Sequence, residues 1–262
     1  MFLATYTLWV RDIVRFGRQR SRIVGALGTP VVFWLVLGSG LGTSFRVGSD
    51  TAPGGGYLEY FYPGTLALIV LFTAIFSTIS LIEDRREGFL QGVLVAPVPR
   101  GAIVLGKILG GTTLAVMQAA LFLLLAPVAN VHLSLATLPL LAMVLGILAF
   151  AVTGLGFVLA WSLDSTQGFH AIMNLFLIPM WLLSGAVFPA AGAAGWIRTV
   201  MLVNPLTYGV SALRTVLSDE TASGGALAGD PSVGLSVLFM LGFGAMTLIA
   251  GTLLVRSKKS HA

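Results

Sequence analysis

Apolar runs the length of a membrane crossing alternate with short polar connections along the whole chain. Six stretches hold about the 20 mostly apolar residues that a spanning helix needs: 23–41, 61–82, 103–127, 136–161, 169–188 and 233–255. All are too long for strands, and none has the period-two alternation of a membrane barrel. A backbone in lipid must satisfy its own hydrogen bonds, so these runs predict helices. The expected fold is all-α: a polytopic membrane protein with six transmembrane helices in one domain, residues 1–262.

Three segments outside the spans carry patterns of their own. In residues 1–22, Phe2, Tyr6, Trp9, Ile13 and Phe16 recur at steps of four and three, and Arg11, Arg15, Arg18 and Arg22 take the other face. This predicts an amphipathic helix flat in the interface, with arginines toward lipid phosphates. A secretory signal peptide fits poorly, because the aromatics precede the charges and no convincing small-residue cleavage site follows. Residues 83–100, "EDRREGFLQGVLVAPVPR", place five charges in a row before a short apolar face of Phe89, Leu90, Val93 and Leu94, and Pro97 and Pro99 stop it. The acids at its front suit a helix N-terminus. Such a patterned helix predicts a docking surface. In residues 189–232, Asn204 reads as an N-cap and Pro205 as the first helical position, opening a helix toward Leu217. Residues 218–232, rich in glycine and small residues, read as a flexible linker.

Composition agrees with the pattern: 56% of residues are hydrophobic and only 10% charged, against about 25% charged in a soluble domain. There is no cysteine, which excludes disulfides and thiolate metal sites. The net charge of +5 is informative by its position, not as a nucleic-acid signal. Twelve of the fifteen Lys and Arg residues fall before the first span, between the second and third or at the mouth of the third (Lys107), or after the sixth. Only Arg46, Arg198 and Arg214 fall on the other side. The positive-inside rule then predicts cytoplasmic termini in a cell membrane.

Candidate chemistry inside the spans is sparse. "GAIVLGKI" resembles a phosphate-binding loop, but Ile108 stands where a magnesium-ligating hydroxyl is required, and Lys107 is expected to snorkel to the interface. Asp164, His132 and His170 read as structural. Gly38 with Gly42 and Gly106 with Gly110 have the spacing that lets helices approach closely. Thr112, Thr113, Gln118, Asn174 and Ser184 are placed to bond between helices or line a path.

Three stretches together resemble the type-2 ABC transporter permeases: "EGFLQGVLVAPVPRGAIVLGKILGG", "IPMWLLSGAVFP" and "NPLTYGVSALR". The chain is most similar to the small six-span permeases of drug, polysaccharide and Nod-factor export. The resemblance implies a transport subunit without a catalytic or metal site and with no cofactor of its own, ATP and Mg lying on a partner. The implied partners are two ABC ATPase subunits and a second permease copy, in a homodimer. It implies that 83–100 is the coupling loop, with Glu83, Asp84, Arg85, Arg86, Glu87, Gly88, Phe89 and Leu90 at the ATPase. It implies a connecting helix at 1–22 and a substrate path along the fifth span, where Asn174, Met180, Trp181 and Ser184 are the candidates. It also implies short re-entrant helices in 189–232, with Asn204, Pro205 and Tyr208 at an external gate. The expected cargo is hydrophobic or amphiphilic. A secondary carrier or channel is the alternative, disfavoured by the lack of midplane charges. An intramembrane serine protease is less favoured, since His261 is the only histidine after Ser184.

Overall fold

A computed structural model describes residues 2–41, 57–218 and 230–257, with the side chains of 20–22 and 191 excepted. All regular structure among these residues is helical: α1 (Phe2–Arg18), α2 (Arg20–Leu41), α3 (Tyr57–Arg86), α4 (Phe89–Val95), α5 (Arg100–Leu123), α6 (Leu138–Ser162), α7 (Thr166–Trp181), α8 (Gly195–Val203), α9 (Pro205–Leu217) and α10 (Val233–Ser257). Helices α2, α3, α5, α6 and α10, and α7 together with the turn that extends it to Ala186, are long and apolar enough to cross a membrane, as the six runs predict.

The bundle is built around α3. Its most apolar 18-residue stretch is 83% buried, whereas the corresponding stretches of α2 and α10 are 22% buried. A helix apolar all round sits in a core or faces lipid. Here α3 takes the first place and α2 and α10 the second. Helices α2, α5 and α6 pack against α3, α10 lies on α6 and α9, and α1 lies along α5.

Small residues set the closest approaches, as expected where lipid gives helices no hydrophobic drive to associate. Gly106 and Gly110 do so for α1: a Cβ on Gly106 would lie 3.0 Å from the Thr5 carbonyl oxygen, and one on Gly110 3.1 Å from Asp12 Cβ. Gly64 of α3 meets the Ala186 backbone, where a Cβ would lie 2.8 Å from Cα. Gly42, the second member of the other pair, lies outside the described residues.

Two spans end differently from expectation. The third run stops at Leu123, and Ala126–Ala129 form a separate short turn, because Pro127 cannot continue the ladder. In the fifth, α7 passes at Trp181 into a widened turn, Leu182–Ala186, where Leu183 leaves helical geometry and Gly185 has φ 79°. A left-handed residue of that kind favours glycine.

Gly64→Val is expected to lower the melting temperature of the detergent-purified protein, because the clash is with backbone; overpacking typically costs about 1–3 kcal/mol. Gly146→Ala, where a Cβ meets nothing within 4 Å, is the control and is expected to be neutral or slightly stabilising.

Candidate functional site

Residues 83–86 of the charge run end α3 rather than start a docking helix, and Glu87 follows in the turn. Helix α3 continues to Arg86, Gly88 turns the chain at φ 77°, and α4 begins at Phe89. The acids therefore lie at a helix C-terminus, where the macrodipole disfavours negative charge. Cations from two other helices offset that cost.

Asp84 is at the centre and is fully buried. Its carboxylate accepts four hydrogen bonds: two from Arg11 at 2.9 and 2.6 Å, one from Arg15 at 2.5 Å and one from Lys107 at 2.6 Å. Lys107 also donates to Asp12 at 2.8 Å. Arg15 reaches outward to Glu83 at 3.0 Å and Glu87 at 3.4 Å. Helices α1, α3 and α5 are thus joined through one carboxylate. Burial pushes the Asp12 carboxyl above the usual carboxylate range, and the Lys107 ammonium partly offsets that rise.

This geometry corrects several expectations. Arg11 and Arg15 point into the protein rather than toward lipid phosphates. Arg18 is exposed, and the Arg22 side chain lies outside the described residues. The inward stripe of α1 is Leu8, Asp12 and Phe16, while Phe2 and Tyr6 are exposed. Lys107 does not snorkel: it is buried in the ion cluster. "GAIVLGKI" is continuous helix, in keeping with its rejection as a phosphate loop. Asp84 and Leu90 are buried.

Arg85 and Arg86 leave α3 on its other side. Arg85 donates to the Trp161 and Leu163 carbonyls at 2.8 and 3.1 Å and to Asp164 at 2.9 Å, and its guanidinium lies over the Trp161 ring. Arg86 donates to the Asp164 carbonyl. Arg85 caps the C-terminus of α6, where orphan carbonyls and the dipole favour cations, and Arg86 holds the link that follows. Glu87, 60% exposed, and Phe89 remain at the surface. Phe89 lies beneath the Arg11 guanidinium, 3.6 Å from the ring centroid. Beside them, between α1 and α4, a groove of about 470 Å³ is lined by Thr7, Arg11, Phe89, Gly92, Val93 and Ala96, among others.

At the opposite end of the bundle, α8 and α9 meet at an 87° bend. Asn204 makes the bend: its Oδ1 accepts from Leu206 N–H as a cap, and its amide donates to the Met180 and Leu183 carbonyls at 2.5 and 2.9 Å. Pro205 opens α9, as predicted. Tyr208 donates to the Leu202 carbonyl and stacks on Phe239.

Sequence reasoning missed the group that secures this end. Arg214 is buried, pairs with Asp230 at 2.8 Å, donates to the Gly185 carbonyl at 2.8 Å and lies over the Tyr60 ring. Tyr60 donates to the same carbonyl at 3.0 Å. Asp230 is therefore tethered rather than part of a free linker; residues 219–229 of that stretch lie outside the described ones.

The four path candidates separate. Trp181 is buried, with its indole N–H donating to the Gly64 carbonyl at 2.8 Å. Ser184 is buried and donates to the Trp181 carbonyl at 2.6 Å. Trp181 thus ties the fifth span to α3, while Ser184 bonds within its own span. Asn174 is on the exposed face of α7, and Met180 lines an apolar groove on the flank.

The comparisons with known proteins agree with this architecture. The family model described as ABC-2 type transporter matches residues 4–218. The transport permease ycf38 of Cyanophora paradoxa is 25% identical over 224 residues, covering 82% of this chain and 74% of that protein. Nodulation protein J of Sinorhizobium fredii is 26% identical over 227 residues, covering 84% and 83%. The inner membrane transport permease YhhJ of Escherichia coli is 26% identical over 161 residues, covering 60% of this chain and 43% of its own length. With most of its length matched, this six-span chain belongs to the ABC-2 type transporter family of membrane permeases.

Proposed function

We propose that this chain is the membrane subunit of an ATP-driven exporter, and that an ABC ATPase docks on the groove between α1 and α4. The observation that carries this reading is the pairing of an open groove with a rigid ionic mount. The groove combines apolar walls with the Arg11 guanidinium, the exposed Phe89 and a charged rim at Glu87. That mixture suits a protein partner, since interface cores favour aromatics and Arg. Arg11 belongs to both parts, holding Asp84 on one side and covering Phe89 on the other. A push on α4 is therefore delivered to α1, α3 and α5 together.

ATP and Mg belong to the partner in this account, and the complex contains two ATPase subunits and two permease copies. The family favours an ABC ATPase partner and a dimeric arrangement. The resemblance to small export permeases and the aromatic and Met residues of the fifth span support a hydrophobic or amphiphilic cargo, such as a drug, a lipid or a lipid-linked glycan. Asn174 is the path residue retained, because it stays on an uncovered face. The bend at Asn204 and Pro205, with Tyr208 behind it, serves as the external gate. Both termini lie in the cytoplasm, on the side of the Asp84 cluster.

Two classes of variant separate mount from docking surface. Phe89→Ala is expected to leave membrane abundance intact while weakening retention of a cognate ABC ATPase by about 30-fold, the effect of losing a ~2 kcal/mol hot spot. Asp84→Ala is expected to lower thermal stability and membrane abundance themselves, since breaking a buried pair costs about 3–5 kcal/mol. Abundance, ATPase copurification and export are measured for each. Full ATPase retention by Phe89→Ala contradicts the docking surface.

The orientation is tested with single cysteines in this cysteine-free chain. Leu135→Cys, in the exposed link between α5 and α6, is expected to react with an impermeant thiol reagent in intact cells. Val95→Cys, 87% exposed at the end of α4, is expected to react only after lysis. The opposite pattern reverses the topology.

A further inference from the structure

Asp12 and Asp84 are both buried and share the Lys107 ammonium, but they are served unequally. Asp84 accepts four hydrogen bonds, whereas Asp12 accepts one, on Oδ1. Among the described residues no donor reaches Asp12 Oδ2. The side chain is 8% exposed, so bulk water supplies little in its place. A buried carboxylate short of donors favours its neutral form, and a neutral carboxyl brings a donor of its own.

The space beside Asp12 suits such a donor. A cavity of about 10 Å³ lies between α1, α3 and α5, with Asp12, Gln19, Ser77, Ser80 and Gly111 in its walls. Asp12 Oδ2 lies against Gly110, 3.4 Å from where a Cβ would stand, and Ser77 Oγ lies against the neighbouring Gly111. The cavity has room for one water and polar walls to hold it. The Ser77 and Ser80 hydroxyls donate to the Ala74 and Ser77 carbonyls at 2.6 and 2.7 Å, so toward the cavity their oxygens can only accept. Arg15 also lines the cavity, but its hydrogen bonds go to Asp84, Glu83 and Glu87. The cavity therefore holds more acceptors than donors, and a proton on Asp12 corrects that count.

The charged groups around Asp12 among the described residues come from three helices. They are Arg11 and Arg15 on α1, Glu83, Asp84 and Glu87 at the end of α3, and Lys107 on α5. The two arginines spend their hydrogen bonds on the acids that end α3 and the turn after it. Burial is the larger influence on the Asp12 carboxyl and holds it above the usual carboxylate range, against the pull of Lys107.

We propose that Asp12 is a proton-binding site of the permease, and that the bound proton ties α1 to α3 through a water shared with Ser77 and Ser80. The site depends neither on an ATPase nor on the cargo.

Carbon-13 NMR of the detergent-purified full chain, labelled at its aspartate carboxyls and followed over a pH series, tests this. The chain has six aspartates, so the Asp12 resonance is assigned by its loss in Asp12→Asn. That variant is expected to fold, because its Oδ1 still accepts from Lys107 and its amide supplies the missing donor; Asp12→Glu gives the same assignment if it does not. The Asp12 resonance is expected to titrate above the ordinary aspartate value of about 4. Ser77→Ala combined with Ser80→Ala is expected to weaken proton binding roughly five-fold, the worth of one hydrogen bond to the neutral carboxyl. Serines that only pack would leave the midpoint in place. The folded chain keeps a proton that the unfolded chain has lost, so stability falls as pH rises through the Asp12 midpoint. The melting temperature of the wild type is expected to show that fall, and Asp12→Asn to lack it. An Asp12 that stays ionised down to the ordinary value overturns the proposal. So does a midpoint that the two serine substitutions leave unmoved.

Discussion

A carboxylate removed from water must be matched by donors, and Asp84 is matched by four. That requirement fixes the positions of three helices. Taking a charge out of water costs several kcal/mol unless the geometry is good and the lone pairs are satisfied. Arg11 and Arg15 sit one helical turn apart on α1, and Lys107 comes from the first turns of α5. Gly106 and Gly110 then let α1 lie close enough to α5 for Asp12 to reach Lys107. The close packing and the ion cluster are one arrangement.

The same logic recurs at the far end. Arg214 is buried and satisfied by Asp230, the Gly185 carbonyl and the face of Tyr60. Gly185 is where the fifth span breaks, and a broken turn leaves carbonyls without helical partners. Tyr60 and Arg214 both donate to that carbonyl, so α3 and α9 hold the break in place. Helix α3 therefore links the two polar clusters, with Asp84 at one end and Tyr60 at the other. Between them it is buried along most of its length.

Much of this fold was legible in the sequence, because the signals were local. Unbroken apolar runs gave the six spans, and Asn204 before Pro205 gave the start of α9. The charge run 83–87 was legible in part. With 3.6 residues per turn, Glu83, Asp84 and Glu87 share one side of a helix and Arg85 and Arg86 the other. Nothing local says which distant cation each side meets, since Arg11 and Asp84 are 73 residues apart. Asp12 did leave a trace: it stands midway between Leu8 and Phe16 at steps of four, an acid within an apolar stripe. Trp181 and Ser184 misled for a general reason. A polar side chain in a span can line a path or bond a neighbouring backbone carbonyl, and these two do the second. The Arg214–Asp230 pair was hidden by the glycine-rich composition before Asp230, which resembles any free linker.

The central claim is that the charges of 83–87 chiefly hold the permease together, while its partner reads the groove between α1 and α4. Hydrogen–deuterium exchange on the permease in lipid nanodiscs, with and without its ABC ATPase, tests this most directly. The account predicts new protection concentrated in residues 4–11 and 88–98, with the buried end of α3 already protected in the absence of the ATPase. Protection confined to other segments, or an Asp84 region that exchanges freely until the ATPase binds, would contradict it.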